Sequence, residues 1–158
     1  MKIWLIVVGK AGKLVSESVA EYERRARYYW NLDVIEVKEE RARKSSSDDQ
    51  IRVAESERLF ERVPAGVEAC ALTRDGARWS SADLADYLNR QAVQGAAGVA
   101  FLIGGALGLS DAVIKRADRT LSLSPMTLTH ELARLILTEQ LYRAGTIVRG
   151  EPYHKARS

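Results

Sequence analysis

The chain is poor in the residues that form disulfides and bind metal ions. Its 158 residues include one cysteine, Cys70, and two histidines, His130 and His154. A lone cysteine excludes an internal disulfide framework and is typical of the reducing cytoplasm, where we expect this protein. These three positions do not have the spacing of zinc ligands, so no metal is expected.

The sequence also lacks the long hydrophobic run of a membrane-spanning helix, which needs about 20 apolar residues. Its apolar residues, 46% of the chain, are spread over short segments. The opening segment 1–13 has the apolar run of a signal peptide but no A-x-A-like cleavage site, and a charged helical pattern follows it. We therefore interpret it as a first strand of a globular protein with no membrane partner.

Familiar catalytic motifs are missing as well. There is no G-x-S-x-G elbow, no Walker A phosphate loop and no cysteine nucleophile flanked by histidine. The glycines Gly104, Gly105 and Gly108 do not have the G-x-G-x-x-G spacing of a dinucleotide fingerprint, and they lie far from the first strand. These features argue against a nicotinamide-dependent oxidoreductase.

An excess of charge of one sign is nearly absent, since the net charge is only +3. An excess this small permits a nucleic-acid partner without requiring one. The tail carries Arg149, Lys155 and Arg157 against Glu151, whereas the middle of the chain is close to balanced. The tail is therefore the segment in which an anionic partner would be met, although a solvated surface explains the same charges.

What the sequence does have is an alternation of short apolar segments with longer amphipathic ones. It predicts strands at Lys2–Val8, Leu32–Val37, Val67–Leu72, Gly98–Ile103 and Arg119–Ser124. It predicts helices over Val15–Tyr29, over Asp49–Arg62, from Ser80 or Ser81 to Gln94, after Ser110, and over Leu128–Val148. This order favours an α/β fold with a mainly parallel sheet, in one domain over residues 1–158.

Two strand-to-helix junctions stand out as candidate ligand loops. In the first, the apolar run of Val99–Ile103 stops at Gly104 and Gly105, which let backbone approach a ligand that a side chain would block. The second, Leu123–Thr129, offers hydroxyls and backbone amides beside an apolar wall. A tight turn and a helix cap explain each junction equally well when it is taken alone. Two in neighbouring strands favour a small-molecule cleft.

The last helix and the tail carry the remaining candidates. His130 and Arg134 share a helix face, as do Glu139 and Arg143, although the latter spacing is also that of a surface ion pair. The tail Glu151–Lys155 clusters proline, tyrosine, histidine and lysine where chain ends are usually simple and polar. A tyrosine there can stack on a base, and a lysine can meet a phosphate.

Three segments together resemble one known family. FLIGGALGLS at 101–110, LSLSPMTLTHELARLILTEQLYRA at 121–144 and RGEPYHK at 149–155 are similar to the small bacterial SPOUT-class ribosomal RNA large-subunit methyltransferase H family. The resemblance extends to the opening KIWLIVVGK and to ALTRDG at 71–76. One departure is Thr129, where relatives commonly have proline before the histidine.

The resemblance implies a trefoil-knotted fold, with the knot over about residues 98–150 and a tail over 150–158. It implies a homodimer in which the tail of one protomer completes the active site of the other. It also implies an activity, methylation at N3 of a pseudouridine in 23S ribosomal RNA within the assembled ribosome. The cofactor is S-adenosylmethionine, which the resemblance assigns to Leu72, Gly104, Gly105, Leu123, Ser124, Pro125, Met126, Thr127, Leu128 and Thr129.

The same resemblance, with the chemistry of methylation, suggests roles near the target base. A sulfonium donor carries its own leaving group, so neither a metal nor a covalent nucleophile is needed. We expect Tyr153 to orient the base and either His154 or His130 to handle the N3 proton. Arg143 stabilises the anionic ring in this scheme. Lys155 and Arg157 contact RNA phosphate.

Two alternatives remain open on the sequence. The chain is a non-catalytic RNA-binding factor in ribosome assembly, or a knotted methyltransferase that acts on transfer RNA. The intact glycines of the first junction argue against the former. The short chain, with no extra RNA-binding domain, argues against the latter.

Overall fold

A single parallel sheet organises the chain, as seen in a computed structural model that describes residues 1–155. The strands are β1 (Lys2–Val8), β2 (Asn31–Val37), β3 (Glu68–Arg78), β4 (Gly98–Ile103) and β5 (Arg119–Ser122). They lie in the order β2-β1-β4-β3-β5, and every pairing is parallel. The predicted α/β class and parallel sheet are confirmed.

Helices connect the strands and cover both faces of the sheet. They are α1 (Ser16–Tyr29), α2 (Asp48–Glu61), α3 (Ser81–Val93), α4 (Asp111–Arg116) and α5 (His130–Val148), followed by a 3₁₀ turn at Pro152–Lys155. Arg157 lies outside the described residues. Within residues 1–155, no helix is long and apolar enough to cross a membrane.

The core follows from the alternation of side chains along β1. Ile3, Leu5 and Val7 pack on one face of the sheet, in a cluster with residues of α1, α3 and α5. Ile6 and Val8 pack on the other face, with residues of α2 and α4. The central strands are therefore buried on both faces, which is why their sequences read as continuous apolar runs.

The sequence places most of these elements within two residues, and the main difference lies in β3. The predicted strand ends at Leu72 with a turn at Asp75-Gly76, but β3 continues to Arg78 beside β5. The pairing changes register between Leu72 and Ala77, so residues 73–76 bulge. A Cβ on Gly76 would lie 2.7 Å from the Leu121 carbonyl carbon, so glycine lets the bulge approach β5.

The beginning of α5 is held in place by a buried ion-pair cluster. The Arg134 guanidinium lies 2.8 Å from the Glu23 carboxylate of α1 and 2.7 Å from Glu36 of β2. Arg134 and Glu23 are both buried. Removing one member of such a pair leaves a buried charge without compensation, which costs about 3–5 kcal/mol. The cluster therefore fixes α5 against α1 and the sheet.

Candidate active site

A cavity of about 370 Å³ lies at the carboxyl edge of the sheet, where β3, β4 and β5 end. Parallel sheets place ligand sites at this edge because the loops after neighbouring strands meet there. The cavity is lined by Leu72–Asp75 at the bulge of β3, by residues 103–109 at the end of β4 and after it, and by Leu123, Ser124 and Met126–Leu128 after β5. His130 and Ala133 of α5 and Ile114 of α4 complete the wall.

The glycine loop after β4 is shaped by close backbone packing. A Cβ on Gly104 would lie 2.6 Å from the carbonyl carbon of Gly108, so only glycine fits there without moving backbone. Gly108 has φ of 77°, a conformation that favours glycine, and its amide donates to the Gly105 carbonyl at 3.0 Å. The loop is thus a tight turn that exposes backbone to the cavity.

Helix α2 supports this loop from behind. Arg52 Nε donates to the Leu107 carbonyl at 2.8 Å, and the Ser110 amide donates to Ser56 Oγ at the same distance. The buried Glu55 carboxylate lies next to Gly105, where a Cβ would be 2.8 Å from Oε1. Ser110 also caps α4 by accepting from the Val113 amide. The ligand loop is therefore held by fixed polar contacts.

The loop after β5 is tied across the mouth of the cavity. Arg74 Nη1 donates to Thr127 Oγ1 at 3.0 Å, and Ser122 Oγ donates to the Arg74 carbonyl at 2.9 Å. Ser124 Oγ accepts from the Met126 amide at 3.0 Å, which closes a local turn. These bonds hold the bulge of β3 against the loop after β5, and both segments line the cavity.

Most of the residues assigned to the cofactor lie together in this cavity. Eight of the ten line it: Leu72, Gly104, Gly105, Leu123, Ser124, Met126, Thr127 and Leu128. Pro125 is exposed and does not line it. The Thr129 hydroxyl caps α5 by accepting from the Leu132 amide at 3.2 Å, and Thr129 is outside the lining as well.

The remaining catalytic candidates form a second cluster, at the other end of α5. Tyr153 Oη donates to Glu139 Oε1 at 2.9 Å, and Arg143 contacts the same carboxylate oxygen at 2.7 Å. Arg143 also stacks over the Tyr153 ring at 4.7 Å, and Tyr142 packs against that ring at 4.6 Å. The Tyr153 ring is therefore fixed in one orientation.

This cluster has perturbed ionisation as well as fixed geometry. Burial and the hydrogen bond to Glu139 raise the pKa of the Tyr153 phenol well above its ordinary value. The hydrogen bond to Glu139 also raises the pKa of Arg143. Tyr153 is thus a neutral hydrogen-bond donor and aromatic surface throughout the physiological range.

The structure does not bring the two clusters together within one chain. His130 lines the cavity at the first residue of α5, whereas Arg143 lies 13 positions further along the same helix. At 1.5 Å per residue that separation is about 20 Å. His154 Nδ1, moreover, is buried without a hydrogen-bond partner among the described residues. Buried polar atoms without a hydrogen-bond partner are rare.

Of the two RNA-binding candidates, Lys155 and Arg157, only Lys155 is among the described residues. Lys155 ends the 3₁₀ turn and is exposed, beside the second cluster. Arg157 falls beyond the part of the chain that the structure describes. For metal ions, no group of three His, Cys, Asp or Glu side chains within residues 1–155 could hold one.

Sequence reasoning missed several residues of both clusters. Arg74 and Asp75 line the cavity, although the sequence indicated only a turn at Asp75-Gly76. Glu139 reads in the sequence as half of a surface pair, yet it joins Arg143 and Tyr153. No signal in the sequence marks Glu55, since its partners are Gly105 and the Glu40 amide, far away along the chain.

Comparison with known proteins gives consistent matches. The family described as "Predicted SPOUT methyltransferase" matches residues 1–154. A protein of Gemmatimonas aurantiaca named "Ribosomal RNA large subunit methyltransferase H" is 51% identical over 158 residues, which cover 98% of this chain and 100% of that protein. A Bacillus pumilus protein with the same name is 43% identical, with the same coverage of both chains.

Solved structures agree at the level of the fold. A probable methyltransferase from Bordetella pertussis Tohama I aligns with a TM-score of 0.55 at 19% identity, over 90% of this chain and 95% of that one. A probable methylase family protein from Haemophilus influenzae Rd KW20 aligns with a TM-score of 0.54 at 11% identity, over 99% of this chain and 71% of that one. At such identities the likeness concerns the fold alone.

Proposed function

The chain belongs to the SPOUT methyltransferase family, and we propose that it methylates N3 of a pseudouridine in 23S ribosomal RNA, on the assembled ribosome, with S-adenosylmethionine as donor. The observation that carries the proposal is the glycine-walled cavity at the carboxyl edge. It gathers eight of the ten residues that the family resemblance assigned to this cofactor. The full-length relatives named for large-subunit ribosomal RNA support the choice of substrate.

The cavity suits a nucleoside-containing cofactor in size and chemistry. Its volume of about 370 Å³ falls in the range of small-ligand pockets. Apolar walls from Leu72, Ile103 and Leu123 suit a purine ring, while the backbone of the glycine loop offers amides and carbonyls. S-adenosylmethionine supplies, when bound, a methyl group on a positively charged sulfur that is also the leaving group.

The protein has to position the base and manage one proton. In the proposed site Tyr153 holds the pseudouridine ring in line, which is worth several kcal/mol as positioning. His130 or His154 accepts the N3 proton, a contribution of roughly 10²–10⁴-fold for a well-placed base. His154 Nδ1 has no hydrogen-bond partner among the described residues, and it is buried in the single chain. Arg143 stabilises negative charge on the ring, and Lys155 and Arg157 contact phosphate.

The separation of the clusters by about 20 Å along α5 calls for a second copy of the chain. One face of α5 carries Leu132, Ile136, Glu139 and Arg143, which repeat at helical spacing. Leu132 and Ile136 are exposed apolar residues on that face. An exposed apolar stripe that leads from one cluster to the other is what an isologous dimer contact requires.

In this proposal a twofold axis brings the two clusters into one site. Ile136 lies six residues after His130 and seven before Arg143, so it marks the midpoint between the clusters. Two copies of α5 packed antiparallel about an axis near Ile136 bring each Arg143 to the same level along the helix axis as the other chain's His130. The dimer has two composite sites, each with the cavity of one protomer and the tail of its partner. The trefoil knot of residues 98–150 is part of the same proposal.

Methyl transfer from radiolabelled S-adenosylmethionine tests the proposal on three substrates. They are 70S ribosomes lacking the modification, the same ribosomes with uridine in place of the target pseudouridine, and free 23S RNA. We expect strong incorporation only into the pseudouridylated ribosomes. Donor binding without incorporation into any of them would move the substrate elsewhere, with transfer RNA the next to assay. Absence of donor binding would leave a non-catalytic assembly factor.

A further inference from the structure

In the part of the chain that the structure describes, cations without an ion-pair partner lie at both edges of the sheet, and those at the carboxyl edge are on the side of the cavity. At the beginnings of the strands, Lys2 pairs with Asp33 at 2.6 Å and Arg119 pairs with Glu68 at 2.5 Å. At the carboxyl edge, none of the cations that follow the strands has an ion-pair partner within residues 1–155: Lys10, Lys13, Lys38, Arg41, Arg43, Lys44 and Arg74. Seven cations without an ion-pair partner among the described residues thus lie on the edge that holds the cavity.

The richest part of this edge is the segment 38–47 between β2 and α2, called here the basic loop. Its first part has four cations against Glu39 and Glu40, and Glu40 is already neutralised by Arg58 of α2. The side chains of Arg41, Arg43 and Lys44 are all exposed. The net charge of the whole chain does not show this feature, because acidic residues nearby offset most of the positive charge of the loop.

The basic loop is hydrogen-bonded to α2. Arg58 Nη1 donates to the Lys38 carbonyl at 3.0 Å, and the Glu40 amide donates to Glu55 Oε2 at 3.1 Å. Its end is fixed by the capping box of Ser47 and Gln50 at the start of α2. The loop therefore presents its cations from fixed points on both sides.

Glu55 connects the basic loop to the methyl-donor cavity. One carboxylate oxygen accepts the Glu40 amide, and the other lies next to Gly105 in the glycine loop. In the sheet, β2 is two strands from β4, a distance of about 10 Å at ordinary strand spacing. The cations consequently flank the cavity on the side opposite the bulge of β3.

We propose that the basic loop is a phosphate-contact surface for the RNA substrate, with Arg41, Arg43 and Lys44 as its principal contacts. The inference rests on the proposed function, to which it adds a second RNA-binding surface besides the tail. Arginine and lysine are the usual partners of phosphate oxygens. The loop holds no aromatic residue for stacking on bases. It therefore positions the RNA backbone and does not read its sequence.

The test compares two triple variants that remove the same amount of charge. The first is Arg41→Ala, Arg43→Ala and Lys44→Ala in the basic loop. The control is Arg62→Ala, Arg90→Ala and Lys115→Ala, three exposed cations at the ends of helices that lead back to the opposite edge. Both are measured for methyl transfer to 70S ribosomes over a range of salt, and for S-adenosylmethionine binding by calorimetry.

We expect the basic-loop triple to raise KM for ribosomes about 100-fold near 0.1 M salt, with kcat and donor affinity unchanged. The slope of log KM against log salt should fall by about 2 to 3, roughly one for each phosphate that the variant no longer neutralises. The control triple should stay within about 3-fold of the wild type, since it weakens only long-range attraction.

Equal KM values for the two triples would overturn the proposal, because general charge would then explain the effect. A fall in kcat at unchanged KM would also contradict it, since that result points to the chemistry and not to docking. Failure of the proposed function looks different. In that case the wild-type protein itself transfers no methyl group to ribosomes.

Discussion

The two ends of α5 carry different chemistry, and under the proposed function neither is sufficient alone. At the first residue, His130 faces a cavity built from backbone turns, apolar walls and hydroxyls. Beyond its middle, Glu139 and Arg143 hold the Tyr153 ring in a cluster of aromatic and charged side chains. The first end is suited to hold a donor and the second to hold a base. Because α5 is rigid, it keeps the two clusters apart within one chain. Contact between two chains is the simplest way to bring the clusters together.

Substitution at the cavity end should have the largest effect. Gly104→Ala places a Cβ 2.6 Å from the backbone of Gly108, which cannot move without reshaping the loop. We expect donor affinity to fall about 100-fold or more, an overpacking cost taken up by the binding loop. Calorimetric titration with S-adenosylmethionine measures it.

The matched control for that substitution is Gly66→Ala. Gly66 has φ of 77° but open space around its Cβ position, so alanine there strains only its own backbone. It should lower stability by about 1 kcal/mol and leave donor affinity intact. Equal donor affinities in the two variants would show that the glycine loop does not hold the donor.

Substitution at the far end should affect turnover and spare donor binding. Tyr153→Ala removes the ring held by Glu139 and Arg143, and we expect kcat on ribosomes to fall about 100-fold at unchanged donor affinity. Tyr28→Ala, at a tyrosine that is 70% exposed, serves as the control and should retain activity. A Tyr153→Ala protein with weakened donor binding and normal kcat would remove the division between the two ends.

The proposed dimer contact along α5 is tested at Ile136. Ile136→Asp puts two carboxylates face to face at the axis, and we expect the dimer dissociation constant to rise about 100-fold. Activity should then depend on protein concentration and recover as the dimer re-forms, as followed by sedimentation and methyl transfer together. Val93→Asp, at another exposed apolar residue, should have neither effect. A fully active Ile136→Asp monomer would refute the composite site.

The smallest effect is expected for a substitution at Tyr29, which contacts the segment that follows α5. Tyr29 donates to the Glu151 carboxylate, and this hydrogen bond is the main reason that the pKa of Tyr29 rises from 10.0 to about 12. Tyr29→Phe should lower Tm by about 2–4 °C at pH 8. Because the folded state raises this pKa, the stabilisation is complete below pH 10 and disappears as the pH rises towards 12.

Melting curves of wild type and Tyr29→Phe at pH 8 and pH 11.5 test the sign of that dependence. The difference in Tm should shrink at the higher pH. A difference that grows with pH would mean that the hydrogen bond to Glu151 does not stabilise the neutral phenol.

The sequence was sufficient for features that depend on local pattern. The buried strands Lys2–Val8 and Gly98–Ile103 have the predicted bounds, because continuous apolar runs between turn residues leave little choice. The glycine loop was predictable because Gly104 and Gly105 sit where an apolar strand stops. Serine caps at Ser47, Ser80 and Ser110 follow the same local logic.

Features that depend on remote partners could not be predicted. The bulge of β3 exists because Gly76 approaches Leu121 of another strand. No residue close to Gly76 in the sequence indicates that pairing. The role of Glu139 depends on Tyr153 folding back onto α5. Likewise, Glu55 connects two loops that are far apart in the chain. In each case the decisive contact forms only in the folded protein.

Subunit mixing tests the composite site most directly. Gly104→Ala has a damaged cavity and an intact tail, whereas Tyr153→Ala has the reverse. When the two inactive proteins are mixed in equal amounts and allowed to exchange subunits, half of the dimers are mixed, and each mixed dimer has one intact site. We predict recovery of about a quarter of the wild-type methyl transfer to ribosomes. No recovery, with exchange verified by mass spectrometry, would mean that cavity and tail act within the same chain.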